Sequence, residues 1–500
     1  MEAAREVGAV VIGAGFSGIG ASIALQRQGI DHVVLEAADD VGGTWRDNQY
    51  PGCRCDVPSH LYSFSFAPNP EWSTTYAAQP EIWAYLRDCA ERYGVMERCR
   101  FGHEVLEATW DDEASRWIVS TTQGRFAAAT LIGAYGPLSS PKVPDIEGLD
   151  RFGGRWLHSA QWVAADLLEG QRVAVIGTGA SAVQIVPQIQ PNVAHLTVFQ
   201  RTPPWVLPHT NRDIRPVERA IYRRVPAAQR AVRTGVYWLR ELFAIGLCRT
   251  PRRLETVRKI GVKHLESQVT DPVLRQKLLP SYTPGCKRIT IANDYYPAIG
   301  EANVSLETAP ISHLDESGIV MSDGRRIAAD TVVLATGFHV TDHPMASRIR
   351  GRDGRSIAEV WERDGMQAYL GTTVTGFPNC FLLAGPNTGI GHTSLVVMIE
   401  AQLRYVAAAL RERDRRGAAT VEVTPAAQAA FVERVSRRMV RTVWTTGGCR
   451  SWYLDSHGRN TTLWPDFTWR FVLDTRRFNA SGHRFGYSAG SRRPEPAQSV

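Results

Sequence analysis

Two glycine-rich turns of one type occur in this 500-residue chain, and turns of this type bind phosphates. The first is Gly13-x-Gly15-x-x-Gly18, and the second is Gly177-x-Gly179-x-x-Ala182. The glycines allow a tight turn and a close backbone approach to a pyrophosphate, and the helix N-terminus that follows attracts its negative charge. One such turn alone is a weak signal. Two of them, each followed by a helical pattern, predict two dinucleotide-binding units.

The residue that ends the next strand of each unit indicates which nucleotide binds there. In the first unit it is Glu36, which can accept a hydrogen bond from a ribose hydroxyl. In the second unit the strand ends in Gln200, Arg201 and Thr202. A carboxylate there would repel a 2′-phosphate, whereas Arg201 can bind one bidentately, so this coenzyme is predicted to be NADPH. The candidate contacts of the second unit are Gly177, Thr178, Gly179, Ala180, Ser181, Gln184, Arg201 and Thr202.

Short apolar strands and amphipathic helices must position these turns. Continuous apolar runs at 9–12 and 172–176 predict buried parallel strands, and each leads directly into its glycine turn. The pattern predicts an α/β fold with two Rossmann-like domains. The first would comprise residues 1–148 and 340–500. The second would comprise 149–339, with a helical insert at about 208–280.

Weaker patterns fill in the remaining elements. We predict a helix at 81–93 and a small antiparallel layer formed by strands at 104–108, 117–121 and 130–134. Residues 32–35, 196–199 and 330–338 also have strand character, and the Pro- and Gly-rich segment 136–148 is typical of a domain boundary. Residues 482–500 are rich in Ser, Pro and Arg and are predicted to be disordered.

Composition restricts the class of protein. The chain is 44% hydrophobic and 21% charged, which is typical of a globular protein, and no apolar run reaches 18 residues. The N-terminus resembles neither a secretory signal nor a transit peptide, so we expect a cytoplasmic protein. Eight cysteines at no metal-like spacing favour free thiols over disulfides and give no metal site. Cys53 and Cys55 are close enough in sequence to suggest a redox pair, but unpaired thiols are the favoured interpretation.

The net charge of +7 is concentrated in the predicted insert. Residues 212–258 hold twelve arginines against four acids, interleaved with an apolar patch at 236–247. We interpret this segment as a solvated helical insert near an anionic cofactor rather than as a nucleic-acid site. A peripheral membrane contact is the lesser alternative.

Two longer motifs carry a resemblance to a known family. Phe152, Gly154, His158 and Trp162 fit F-x-G-x-x-x-H-x-x-x-W, and residues 42–56 fit [A/G]-G-x-W-x-x-x-x-[F/Y]-P-[G/M]-x-x-x-D throughout. Together they resemble the Baeyer-Villiger monooxygenases, a branch of the class B flavoprotein monooxygenases. The sister branch, which oxygenates nitrogen and sulfur, has Tyr in place of the final Trp. The chain departs from the family at Val163, where Pro or Asp is usual.

The resemblance implies roles for particular residues. FAD would be held by the first glycine turn, and Arg54 and Asp56 would face the place where the flavin meets the nicotinamide. Lys287 would assist Arg201 at the 2′-phosphate, and Trp452 would fold over the coenzyme. The predicted FAD contacts are Gly13, Gly15, Gly18, Glu36, Thr44, Trp45, Asp47, Asp56 and Tyr62. The predicted catalytic residues are Arg288, Asp56 and His158, the last in a hinge or supporting role.

The implied reaction inserts one oxygen atom of O2 beside the carbonyl of a ketone, through a flavin C4a-peroxide, to give an ester or lactone. The peroxide must be an anion to attack a carbonyl. A guanidinium at about 4 Å supplies on the order of 4 kcal/mol toward that state at an effective dielectric near 20. Arg288 is the candidate cation, and Asp56 would hold it in place.

Three alternatives remain at this stage. A flavin-dependent N- or S-oxygenase would use the same cofactors, and Trp162 argues against it. A pyridine-nucleotide disulfide reductase would need a redox-active cysteine pair beside the flavin. A basic binding module without enzymatic activity would bind no FAD. The substrate is expected to be a small-molecule ketone, and the sequence assigns neither its identity nor the oligomeric state.

Overall fold

The computed structural model describes residues 4–162 and 168–487. An eight-stranded sheet carries the first glycine turn. Its central strand, Arg5–Ile12, runs parallel to His32–Leu35 on one side and to Gly124–Gly133 on the other. Across the sheet the strands are Ile349–Arg350, Val105–Asp111, Arg116–Thr121, Gly124–Gly133, Arg5–Ile12, His32–Leu35 and Cys99–Arg100, with Cys380–Leu382 also paired to Gly124–Gly133.

The central strand shows why this sheet forms. Ala9 and Val11 belong to one hydrophobic cluster, while Val10 and Ile12 belong to another. Alternate side chains of a strand point to opposite faces, so both faces of the sheet are covered by apolar residues. The helices Phe16–Gln26 and Leu395–Arg415 pack against each other.

The strands at 104–108, 117–121 and 130–134 are confirmed, but they do not form a layer of their own. Gly124–Gly133 pairs antiparallel with Arg116–Thr121 and parallel with Arg5–Ile12. This one strand is long enough to serve both neighbours, so the antiparallel strands extend the first sheet.

A second sheet of five parallel strands carries the second glycine turn. Every neighbouring pair in it is parallel. Its strands, in order, are Val304–Glu307, His195–Phe199, Arg172–Ile176, Thr331–Leu334 and Arg155–His158. All five lie between residues 149 and 339, whereas Ile349–Arg350 and Cys380–Leu382 belong to the first sheet. This membership supports the proposed domain boundaries.

Smaller sheets and the helices complete the molecule. The small sheets pair Val206–Leu207 with Thr290–Ile291, pair Thr420–Val423 with His483–Gly486, and join Ile311–Asp315, Gly318–Met321 and Arg326–Ala328. The α-helices are Phe16–Gln26, Thr44–Asp47, Gln79–Arg92, Ala180–Ile189, Pro216–Arg224, Pro226–Ala244, Glu255–Gln268, Pro272–Leu278, Tyr295–Ile299, Met345–Arg348, Ile357–Trp361, Leu395–Arg415, Pro425–Met439, Val443–Thr446 and Thr468–Arg476. Short 3₁₀ turns occur at Met96–Arg98, Leu149–Arg151, Ser159–Gln161, Pro251–Leu254 and Ala480–Gly482, and a π-helical turn at Ile245–Arg249.

The insert is helical, as the sequence predicts. Its longest helix, Pro226–Ala244, leaves Trp238, Leu239 and Leu242 exposed by 54%, 63% and 59%. Among residues 4–162 and 168–487, none of the helices combines the length and apolarity needed to cross a bilayer. The peripheral membrane contact stays a prediction.

The prediction of disorder from residue 482 onward is wrong at its beginning. His483–Gly486 is a strand paired antiparallel with Thr420–Val423. His483 is buried and shares a 2.7 Å hydrogen bond with the hydroxyl of Tyr405. This distant contact fixes a segment whose local composition is polar. Residues 488–500 lie outside the described part of the chain.

Candidate active site

The first glycine turn requires glycine at its first and third glycine positions. Gly13 has φ +99°, and a Cβ added at Gly18 would lie 1.8 Å from the carbonyl oxygen of Gly13. The helix Phe16–Gln26 begins directly after Gly15, and no side chain caps its N-terminus. Its first backbone N–H groups and the positive end of its dipole therefore suit a phosphate.

Glu36 lies beside this turn, at the end of its strand. Its carboxylate accepts hydrogen bonds from the backbone N–H groups of Ala14, at 2.8 Å, and Ala38, at 3.1 Å. Arg46 is also 3.0 Å from the carboxylate. Burial disfavours the charged guanidinium, but Glu36 and Asp47 offset this, and the pKa of Arg46 is raised. Sequence reasoning missed Arg46, because a single arginine has no pattern that reveals which distant carboxylate it binds.

A cavity of about 480 Å³ opens next to Glu36. Ala38, Arg46, Asp47, Trp83 and Phe338 are among the residues that line it. Ligand sites commonly have volumes of about 300–1,000 Å³. The cavity is therefore large enough for part of a dinucleotide.

The loop at 42–56 packs against the first turn. A Cβ added at Gly43 would lie 3.1 Å from the Cα of Gly15. Thr44 contacts the carbonyl of Leu138 through its hydroxyl at 3.4 Å. Trp45 donates from its indole N–H to the hydroxyl of Tyr62 at 3.0 Å, and their rings meet edge to face. Thr44, Trp45 and Tyr62 therefore lie close to the first turn, since Tyr62 also meets the ring of Phe16.

Asp56 and Arg288 form a bidentate ion pair across 232 residues of chain. The Nε of Arg288 lies 2.7 Å from one carboxylate oxygen, and Nη2 lies 2.6 Å from the other. Nη1 donates to the carbonyl of Ile390 at 3.1 Å. The two side chains are 30% and 27% exposed, so they are shielded but reachable.

The two partners stabilise each other's charge. Burial raises the pKa of Asp56, but Arg288 outweighs burial, so the pKa of this carboxyl is lowered. Burial acts against the charged form of Arg288 as well, and Asp56 raises its pKa above the usual value. The site therefore holds a fixed guanidinium cation.

The second glycine turn is open on its outer side. Gly177 has φ +115°, and a Cβ there would lie 2.4 Å from the carbonyl oxygen of Ala335. Around Gly179, in contrast, a Cβ would meet nothing within 4 Å. The helix Ala180–Ile189 begins at this point, and its N-terminus has no side-chain cap. The partly exposed Ser181 lies in its first turn.

Gln184 joins this helix to the loop of the first unit. Its side chain accepts from the hydroxyl of Tyr50 at 3.1 Å and donates to the carbonyl of Arg54 at 3.1 Å. Arg54 is two residues from Asp56. The loop that carries Asp56 is thus joined to the helix that follows the second glycine turn.

The proposed phosphate-binding residues lie at the edge of the second turn. The hydroxyl of Thr178 donates to the carbonyl of Thr202 at 2.9 Å, which fixes the loop that carries the exposed Arg201. Burial, and then the positive charge of Arg201, lower the pKa of Lys287. The two cations are therefore close enough to affect each other, as expected of groups that share one anion.

Trp452 is 48% exposed and lies beside Tyr453, with their ring centroids 4.4 Å apart. Tyr453 is 2% exposed. Burial raises its pKa to about 12, and the nearby charge of Arg288 acts in the opposite direction. Sequence reasoning missed Tyr453, which borders the Arg288 side of the site.

His158 lies at the end of the strand Arg155–His158 and is fully buried. Both ring nitrogens are engaged: Nε2 contacts the carbonyl of Gly337 at 2.9 Å, and Nδ1 accepts from the N–H of Ala160 at 3.1 Å. Burial lowers its pKa. This geometry suits a positioning role in the connector. Val163 lies outside the described residues.

The prediction that the cysteines form no disulfide is wrong. Cys286 and Cys449 are disulfide-bonded across 163 residues. No local spacing reveals such a pair, because only the tertiary fold brings the two segments together. Cys53 and Cys55 are both free and buried, and burial raises the pKa of Cys53 to about 12. They do not form the redox pair that a disulfide reductase would need.

Comparison with known proteins adds to this geometry. Residues 10–234 match the family model described as pyridine nucleotide-disulphide oxidoreductase. The chain is 50% identical over 497 residues to a Baeyer-Villiger monooxygenase of Streptomyces coelicolor, covering 99% of this chain and 94% of that one.

Two solved structures have the same fold. Cyclohexanone monooxygenase from Rhodococcus sp. Phi1, bound to NADP+, superposes with a TM-score of 0.84 at 30% identity, over 97% of this chain and 100% of the other. OTEMO in complex with FAD and NADP gives a TM-score of 0.87 at 27% identity with the same coverage.

Proposed function

Because the chain belongs to the Baeyer-Villiger monooxygenase family, we propose that it converts a ketone to an ester or lactone with FAD, NADPH and dioxygen. The observation that carries this proposal is the Asp56–Arg288 ion pair, which lies two residues from Arg54, the partner of Gln184 in the helix that follows the second dinucleotide turn. In the balanced reaction, ketone, O2, NADPH and one proton give ester, water and NADP+.

The first unit fits FAD. The turn at Gly13–Gly18 leaves an uncapped helix N-terminus for a pyrophosphate, and Glu36 lies next to it for a ribose hydroxyl. Trp45 and Tyr62 pack beside this turn. Bound FAD supplies the redox chemistry that activates dioxygen. The predicted FAD contacts Thr44, Asp47 and Asp56 lie, together with Trp45, in the loop at 42–56.

The second unit fits NADPH. The open surface at Gly179 suits a pyrophosphate, and the cations Arg201 and Lys287 suit the 2′-phosphate. Gln184 fixes the position of this unit relative to Arg54. We assign Trp452, exposed beside Tyr453, to the outer face of the bound coenzyme.

Arg288 provides the charge that this reaction needs. When an oxygen nucleophile adds to a ketone, negative charge develops on the carbonyl oxygen. A guanidinium about 4 Å away stabilises it by on the order of 4 kcal/mol at an effective dielectric near 20. The same cation favours the anionic nucleophile over its protonated form. Asp56 holds the guanidinium with two hydrogen bonds, so little reorganisation is required.

Nitrogen and sulfur oxygenation is the competing reaction. The curated relative is named for Baeyer-Villiger oxidation and one structural neighbour for cyclohexanone, and both names favour ketones. The proposal is tested by incubating FAD-loaded enzyme with NADPH, O2 and a panel of ketones and thioethers, with products identified by mass. We expect esters or lactones from ketones. Sulfoxides without any ester would contradict the proposal. The cytoplasmic location stays a prediction.

A further inference from the structure

The disulfide joins two segments that border the same site. Cys286 directly precedes Lys287 and Arg288 in the chain, and Cys449 lies three residues before Trp452. This bond is therefore the covalent link between the loop of the fixed cation and the loop that carries the exposed indole.

The packing around the bond is close on one side and open on the other. Cys286 is 0% exposed, and a Cβ added at Gly447 would lie 2.7 Å from the Cβ of Cys286. The N–H of Thr283 donates to the carbonyl of Gly447 at 2.9 Å. Cys449, in contrast, is partly exposed. An external thiol would therefore reach the Cys449 sulfur first.

Beyond Cys449 the segment makes local hydrogen bonds first, and from Arg459 onward it also bonds to distant residues, such as the carbonyl of Arg363. The N–H of Leu454 donates to the carbonyl of Ser451, and Asp455 and Arg459 bind each other. Tyr453 packs inward, while Arg450 is exposed. Residues 450–452 therefore lie between two anchors, the covalent link of Cys449 to Cys286 and the buried ring of Tyr453.

We propose that the Cys286–Cys449 disulfide is a redox-sensitive positioning crosslink. Closed, it holds residues 447–453 against the Arg288 side of the site. Open, it releases that segment, so the coenzyme must order it on binding and Arg288 is less well placed. The expected effect of this crosslink on ester formation rests on the proposed function. The measurement of NADP+ binding that tests the crosslink does not. Exposed disulfides are typically the labile, regulatory ones, and Cys449 is partly exposed.

The opening step balances with a dithiol as reductant. A reductant thiolate attacks the sulfur of Cys449, the S–S bond breaks, and Cys286 leaves as a thiolate that takes up a proton. The second thiol of the reductant then displaces Cys449, so two cysteine thiols and one reductant disulfide result. Hydrogen peroxide closes the bond again: the two thiols lose two electrons and two protons, and the peroxide becomes two waters.

The first measurement counts thiols in the full-length, FAD-loaded protein. Alkylation after unfolding should modify six cysteines in the oxidised protein and eight after treatment with dithiothreitol. If eight are modified in the isolated protein, it is treated with hydrogen peroxide before counting again. A count that stays at eight contradicts the proposal.

The second measurement is the dissociation constant of NADP+, determined without turnover. We expect it to rise about tenfold when the wild type is reduced, because the freed segment must be ordered on binding. C449S should show the same weak binding and no response to dithiothreitol. C380A, which removes a buried free thiol in the first sheet, is the matched control and should bind and respond like the wild type.

The third measurement is the ester formed per NADPH consumed, which should fall in reduced wild type and in C449S. A purely stabilising bond would lower the unfolding temperature and leave both the NADP+ affinity and this ratio unchanged, and that result would overturn the proposal. If C449S does not fold, reduced and oxidised wild type give the same comparison. If the oxidised wild type forms no ester, the proposed function is contradicted. The proposal of a positioning crosslink is contradicted separately, by an NADP+ dissociation constant that does not change on reduction.

Discussion

Replacing Arg201 with alanine tests how the second unit selects its coenzyme. Arg201 lies on the exposed loop after the strand His195–Phe199. At about 4 Å, one charge pair contributes about 1 kcal/mol in water and about 4 kcal/mol at an effective dielectric of 20. Arg201 is exposed and Lys287 remains in the variant. We therefore expect the binding free energy of NADPH to weaken by about 1–2 kcal/mol, near the lower of these two values.

This loss corresponds to an increase of about 5- to 30-fold in the Michaelis constant for NADPH. NADH has no 2′-phosphate, so its Michaelis constant should not change. The assay is steady-state oxidation of both coenzymes at saturating ketone. Arg252→Ala removes another exposed arginine, in the insert, and should affect neither coenzyme. Equal increases for NADPH and NADH in the Arg201 variant would refute the phosphate contact.

Three further outcomes are expected. Asp56→Asn removes the charged partner of Arg288 and should slow ester formation about 10- to 100-fold while NADPH still reduces the flavin, measured by stopped-flow absorbance. Glu36→Gln should weaken FAD retention about tenfold, measured by fluorescence during dialysis. Burial lowers the pKa of His60 from 6.5 to about 4. The unfolded chain therefore binds the extra proton, and His60 should contribute a loss of stability of about 1.4 kcal/mol per pH unit from pH 6.5 down to about pH 4, a contribution that His60→Gln should remove in urea unfolding.

The sequence predicts local features of this fold well, because those features have local causes. The strands at 32–35 and 172–176 have the predicted bounds, since buried parallel strands are continuous apolar runs. The helix predicted after the first glycine turn begins at Phe16, so the third glycine of the motif, Gly18, lies inside it. The first glycine of each turn, Gly13 or Gly177, has the positive φ that only glycine adopts easily.

Contacts between residues that are distant in the chain cannot be predicted from a local sequence pattern. The resemblance brings Asp56 and Arg288 together, but composition and periodicity do not. Arg46 at Glu36 and the Cys286–Cys449 bond were missed, because each depends on how separate segments pack. Local composition predicts disorder for the strand His483–Gly486, because the partner strand that orders it lies about sixty residues earlier.

The central claim is that a fixed cation at position 288 makes oxygen transfer to a ketone possible. Arg288→Ala tests it directly, with NADPH-driven bleaching of the flavin and ester yield measured in the same sample. Arg288→Lys is the companion variant, since it keeps a charge but loses the bidentate geometry. We expect normal bleaching with no ester from the alanine variant and partial ester from the lysine variant. An unimpaired ester yield from Arg288→Ala would contradict the claim.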